Sequence, residues 1–301
     1  CVELLLAHME TPRNASPRDL LAAQHRAWAA ARAISIFDVA AMSSAAQRRL
    51  ASAVEAALAP GTRGPVSYDT RTHRACAVAS RALHAAMVDV GVDLMPLSKA
   101  GPSLVGTALD SVARALSNPC DGELARDDDA LAEATWTCAP LLNATARAVA
   151  AMRRYPCATT TATVPADLSK VDSLLHVCLL HGATIVREAA LELLLELCLL
   201  GWHVGGGDER ERLLRLCLAI ERSPRTPSSK QLALDGEALT RALSNATSQS
   251  SIHLGCRYAA GMLRIRFARV WPHVVPVMQA LGHTAPDALW PILMQALNEA
   301  H

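Results

Sequence analysis

Apolar residues recur at steps of three and four along most of this chain, the spacing of helices that bury one stripe. The first such run begins at Ser16–Pro17, a capping residue followed by proline at the first helical position. It carries Leu20, Leu21, Gln24, Ala27 and Trp28 to about Arg32. Ser43 or Ser44 opens a second helix through Leu50, Val54 and Leu58, closed by Pro60–Gly61. A long Ala-rich run over 70–90 turns Val78, Leu83, Met87 and Val90 inward. Pro102–Ser103 opens a helix to Leu116, and 131–152 reads as helix with a kink or break at Pro140.

A Thr-rich polar stretch then interrupts the pattern, and the chain divides there. Residues 1–158 read as irregular Ala-rich helical repeats, 159–166 as a linker and 167–301 as regular helix pairs. The second part predicts helices at 167–180, 185–200, 208–221, 230–243, 252–270, 271–281 and 286–298, separated by short turns. Arg187–Glu188–Ala189–Ala190 aligns with Lys230–Gln231–Leu232–Ala233, and the two alanines stand 43 residues apart. A period of roughly 40–47 residues made of two helices is that of HEAT and armadillo repeats. The small alanine admits a close partner helix, and the basic residue at the helix start sits where it can donate to turn carbonyls. The predicted fold is an all-α solenoid of stacked antiparallel helix pairs. The chain begins inside one apolar run and stops inside another, so it reads as a piece of a longer solenoid.

Composition agrees with helices: 51% of residues are apolar but only 3% aromatic, Ala and Leu making the difference. The formal net charge is +1, so any contact with nucleic acid is local rather than spread along the chain. Nine cysteines are scattered without a Cys-x-x-Cys pair. They read as buried free thiols, and no zinc site is expected. No apolar run reaches the roughly 20 residues that span a bilayer, so no membrane partner is expected.

Catalytic signals are weak. Gly205–Gly206–Gly207 lacks the Gly-Lys-Ser/Thr ending of a phosphate loop, and no strand precedes it. Asp127–Asp128–Asp129 lacks the alternation of a calcium loop. The histidines form no His-Glu-x-x-His, and His73 with Cys76 lies on an ordinary helical face. Asn143–Ala144–Thr145 and Asn245–Ala246–Thr247 match the glycosylation sequon by chance. The chain therefore reads as non-catalytic, with no cofactor, metal or small-molecule substrate. One functional candidate stands out. Between Glu237 and Asp287 there is no acidic residue, and the window holds Arg241, Arg257, Arg264, Arg266 and Arg269. Arg257, Arg264, Arg266 and Arg269 form a candidate contact with RNA phosphates or an acidic protein, although cations at a helix C-terminus are also favoured by the macrodipole. Phe267, Trp271 and Trp290 in the same region read as packing anchors between helices.

The run from Gly261–Met262–Leu263–Arg264–Ile265–Arg266–Phe267 to Trp271–Pro272, answered by Leu289–Trp290–Pro291–Ile292–Leu293, carries a family likeness. It resembles a segment of the large down-regulated-in-metastasis HEAT-repeat proteins of the small-subunit processome, whose phrase is Gly-x-Leu-x-x-(Lys/Arg)-Phe-Ser-x-Leu-Trp-x-Pro. Ala268 stands where that phrase has Ser, and Val270 where it has Leu. The match spans residues 258–297. The resemblance implies a nucleolar or nuclear scaffold of early 18S rRNA maturation that holds pre-ribosomal RNA and assembly-factor proteins, with no active site. An importin-β-type transport receptor and the solenoid of a giant lipid-kinase-like protein are the alternatives; the former are usually strongly acidic chains.

Overall fold

The computed structural model describes residues 17–34, 42–58, 70–94, 105–110, 112–113, 138–154, 168–202, 207–223, 228–264 and 270–298. Among these residues every regular element is a helix and no strand occurs. The chain folds as two compact units, and among the described residues the division falls between residues 154 and 168.

The first unit contains α1 (Pro17–Ile34), α2 (Ser44–Leu58), α3 (Thr70–Leu94) and α4 (Ala139–Arg154), with helical turns at 105–110. α1, α2 and α4 each pack on α3. Alanines make this possible. Ala23, Ala27, Ala30 and Ala31 form the buried stripe of α1, and Ala144, Ala148 and Ala151 recur along α4. Side chains this short let helix axes approach closely, and Leu83, Met87, Val88 and Val90 of α3 fill the seams. Ser43 is the cap of α2, its hydroxyl accepting the Ala46 N–H at 3.3 Å. Arg147 of α4 is ion-paired with Asp89 of α3.

Two sequence readings meet the structure in this unit. Pro140 stands where α4 begins, and residues 131–137 of the expected helix lie outside the described ones. The proline is the second residue of α4, where a missing N–H costs nothing because no intrahelical acceptor faces it. Gln24 is buried while Trp28 is 43% exposed, so the apolar stripe of α1 is carried by its alanines. The Asp127–Asp129 run and the polar linker lie outside the described residues. His73 and Cys76 lie within α3, but their side chains are outside the described set.

The second unit contains α5 (Leu168–Cys178), α6 (Thr184–Leu199), α7 (Gly207–Glu221), α8 (Ser229–Ser244), α9 (Gln249–Leu263), α10 (Trp271–Thr284) and α11 (Pro286–Asn298). Each helix packs on the next in the chain, and α7 also packs on α9, α8 on α10 and α9 on α11. The start of α6 meets the end of α7: Arg222 donates to Glu188 and Glu192, each at 2.9 Å, so these two helices run oppositely. α7 and α9 run the same way, because Glu209 meets Thr247 and Ser248 while Cys217 meets Tyr258. α9 also reaches back onto α5, a contact that a strictly nearest-neighbour stack does not make.

α6 is apolar almost all round because α5 and α7 both cover it; Val186, Ala189, Ala190, Leu193, Leu194 and Leu197 are buried. Its end is closed by Gly201 at φ 79°, where the Trp202 N–H reaches the Leu197 carbonyl at 2.9 Å and the Gly201 N–H that of Cys198 at 3.0 Å. Arg187 lies inside this apolar helix with 0% exposure. Its five N–H groups are all used. Nε and Nη2 grip the two Glu221 oxygens at 2.7 and 3.0 Å. Nη1 donates to the His181 and Gly182 carbonyls at 2.7 and 3.1 Å, and Nη2 to the Thr184 hydroxyl at 3.2 Å. The expected donation to turn carbonyls is therefore present at Arg187. It does not repeat 43 residues later. Lys230 is exposed and Ala233 only half-buried, because α8 buries the single stripe of Leu232, Leu239 and Leu243 and these two lie off it.

Replacing Arg187 by Ala is expected to cost about 3–5 kcal/mol, since Glu221 is left buried without its partner. Lys230→Ala should stay within about 0.5 kcal/mol. Urea unfolding followed by circular dichroism measures both; equal costs would restore the repeat equivalence.

Candidate functional site: the arginine face of α9

α9 and its C-cap carry two of the four candidate arginines, Arg257 and Arg264, and three fixed points hold the helix. At its start, Glu209 of α7 accepts the backbone N–H of Thr247 at 3.1 Å and of Ser248 at 3.0 Å, and the Thr247 hydroxyl at 2.8 Å. These contacts supply the cap that the Ser248 side chain does not provide. Desolvation opposes ionisation of Glu209, but the donated hydrogen bonds outweigh it and hold the carboxyl below its usual range. In its middle, Tyr258 is fully buried and its hydroxyl donates to the Cys217 carbonyl at 3.3 Å. Near its end, Gly261 lies on the backbone of the turn after α5. A Cβ there would stand 1.9 Å from the Leu179 carbonyl oxygen, so no side chain fits.

Gly261 sets the register between α9 and α5, and that register places the arginines. Arg257 is half-buried beside His176 of α5, and Arg264 is exposed at the C-cap of α9 beside His181. The two-turn spacing puts both on the α5 side, as expected of residues on one helical face. α9 ends at Leu263, seven residues short of the expected helix, which makes Arg264 its capping residue. Arg266 and Arg269, with Phe267, lie outside the described residues.

The field of these arginines is visible in their neighbours. Burial, with Arg210, Arg257 and His253 adding to it and Asp172 opposing, pushes His176 down to about 4. Burial, then Arg187 and Arg264, push His181 down to about 4. Both imidazoles are neutral at pH 7, and His181 Nδ1 accepts the Ala183 N–H at 3.1 Å. Arg210, almost fully buried, is ion-paired with Asp172 and lies 3.3 Å from His176 Nε2. Burial raises the Cys217 thiol and pushes Cys256 up to about 11, so both stay protonated. The described cysteines, Cys138, Cys178, Cys198, Cys217 and Cys256, are free thiols. Among the described residues no cluster of His, Cys, Asp or Glu is placed to hold a metal ion, and no helix is long and apolar enough to cross a membrane.

Two readings are corrected by exposure. Trp271 and Trp290, expected to anchor helices, are 47% and 65% exposed. Val274, Val277 and Leu281 anchor α10 instead, and Ala288, Leu289 and Ile292 anchor α11. Sequence reasoning misassigned them because an aromatic at helical spacing fits the buried stripe and the exposed stripe equally. Thr145 of the first sequon is buried and donates to the Leu141 carbonyl at 2.8 Å, which fits a chance match. Sequence reasoning also missed the role of Glu209, whose only signal is an acidic first turn.

Acid should weaken this unit before the carboxylates titrate. A histidine whose folded value lies below its unfolded value takes up its proton only on unfolding. Its stability is complete above about 6.5 and is lost as pH falls toward 4. At pH 5 the loss is expected to be about 1–2 kcal/mol for each of His176 and His181. Thermal melts from pH 7 to pH 4.5 should fall, and His176→Gln should flatten the slope; an unchanged slope contradicts the assignment.

The chain matches no protein-family model, no curated protein and no solved structure.

Proposed function

We propose that this chain is a segment of a HEAT-type α-solenoid and serves as a non-catalytic scaffold in ribosome biogenesis. In this reading it holds pre-ribosomal RNA and assembly-factor proteins during maturation of the small subunit in the nucleolus. The phrase around Gly261 carries the reading. Its likeness to the processome scaffolds was noted from sequence, and Gly261 has a packing role of its own, lodged against the Leu179 carbonyl where a side chain would collide. A phrase with a glycine at a helix crossing is the kind of local rule that a repeat fold preserves. Further support comes from the alternating directions of α6 and α7, and from the contacts of α7, α8 and α9 with the helices two places further on.

The α5–α9 contact adds a local closure to this stack. It gives three parallel helices, α5, α7 and α9, one shared core around His176, Arg210, Cys217 and Tyr258. A stack closed in this way is stiff, and stiffness suits a scaffold more than a hinge.

Affinity purification of the tagged chain from cells, with sequencing of the bound RNA, tests the proposal. Pre-18S rRNA should be enriched at least about tenfold over messenger RNA, a difference of roughly 1.4 kcal/mol in apparent affinity. Cargo released by Ran-GTP, with no rRNA, would replace the proposal by a transport receptor.

A further inference from the structure

We propose that the outer face of the α10–α11 pair is a homodimer interface, covered in solution by the same face of a second copy of this chain. None of the candidate arginines contributes to it, since α10 and α11 carry no arginine. Sequence and cover are mismatched at this end of the unit. α9 holds one residue of the Asp, Glu, Lys and Arg kinds, Arg257, and it is packed against α5, α7, α8, α10 and α11. α10 holds none and α11 holds Asp287 alone, yet the helices packed on them are α8, α9 and each other. They have the composition of a covered helix without the cover. α7, in contrast, meets solvent with Asp208, Arg212 and Arg215. Among the described residues, Trp271, Val275, Trp290 and Met294 on these two helices are large, apolar and exposed. The others of that kind, Trp28, Val177, Ile185 and Leu234, are scattered over four different helices.

The pair rests on the α8–α9 layer. α10 buries Val274, Val277 and Leu281 there, and α11 buries Ala288, Leu289 and Ile292. The opposite stripes therefore both turn away from that layer: Pro272, Val275, Pro276 and Gln279 on α10, and Pro286, Trp290 and Met294 on α11, all exposed. A second copy would continue outward the stacking that already sets α10 on α8 and α11 on α9. Self-pairing suits this face because a two-fold contact sets each patch against itself, so a charged patch would repel its own copy. Here Asp287 is the single formal charge, and a charged partner would find almost no counter-charge. Trp290 and Met294 stand one helical turn apart. Two α11 helices meeting antiparallel bring each indole to the thioether of the other copy, a favourable sulfur–aromatic contact. Each helix is roughly 20 Å long, and two of them about 10 Å apart give a face of about 400 Å². That is half of the roughly 800 Å² a partner buries in a stable complex, so the pair is weak and reversible.

Sedimentation equilibrium of the 301-residue chain, from about 1 to 200 μM, is the test. The mass should rise from 32.0 kDa toward twice that value. Half-association is expected at roughly 10–100 μM, as a half-sized apolar interface implies. Trp290→Glu and Val275→Glu each set two carboxylates against one another and should weaken the pair at least about tenfold. Trp290→Phe keeps an apolar ring and should retain most of the association; melting curves confirm that each variant is folded. Trp28→Glu alters an exposed tryptophan of the first unit and should change association less than about twofold. Raising salt from about 50 to 500 mM should not weaken an uncharged contact. A mass of 32.0 kDa throughout would overturn the proposal, as would growth past the dimer, the mark of open head-to-tail stacking. Equal weakening by Trp28→Glu, or loss of the pair in salt, would overturn it by moving association to another surface. A monomer that still enriches pre-rRNA strikes this interface alone, and a dimer without pre-rRNA strikes the scaffold reading alone.

Discussion

The guanidinium of Arg187 is the interaction on which the second unit depends. A bare guanidinium inside an apolar helix is among the most expensive groups a protein can bury. It is tolerated because every N–H meets an acceptor: two carboxylate oxygens from the end of α7, two carbonyls from the α5–α6 turn and one hydroxyl from the start of α6. The cost of leaving any donor unpaired therefore fixes the turn, and the turn fixes the rest.

The path from that turn to α9 is short. Leu179, His181 and Gly182 form the floor on which the end of α9 rests, and Gly261 is the residue that lets it rest there. Glu209 and Tyr258 then tie the start and middle of α9 to α7, which Glu221 has already tied to α6. Two charged groups on α7, at its opposite ends, thus position α6 and α9 at once.

Much of the fold was legible because helices announce their ends. Ser43 accepts a backbone N–H as the expected capping serine, and α11 runs over the residues its proline start and apolar period mark out. Arg187 was legible too, as a lone cation inside an apolar run whose turn carbonyls lay within reach. The repeat alignment misled beyond that point. It matched Lys230 to Arg187 by position, but burial depends on which stripe a helix turns inward, and α8 turns in Leu232, Leu239 and Leu243. The tryptophans misled for a related reason, since helical spacing gives a stripe without giving its direction. The α5–α9 contact has no periodic signature at all. Its only traces are the two glycines, Gly182 and Gly261, which look unremarkable until the opposing backbones are known.

Hydrogen exchange on the Glu221→Gln variant tests the central role of Arg187 most directly. Weakening the grip on Arg187 should loosen the α5–α6 turn and the α9 helix resting on it, so amides across Gln249–Leu263 and the start of α6 should exchange faster together. Amides of α1, α3 and α4, in the other unit, should keep their wild-type rates. Unchanged protection in α9, or an equal loss in both units, would contradict the account.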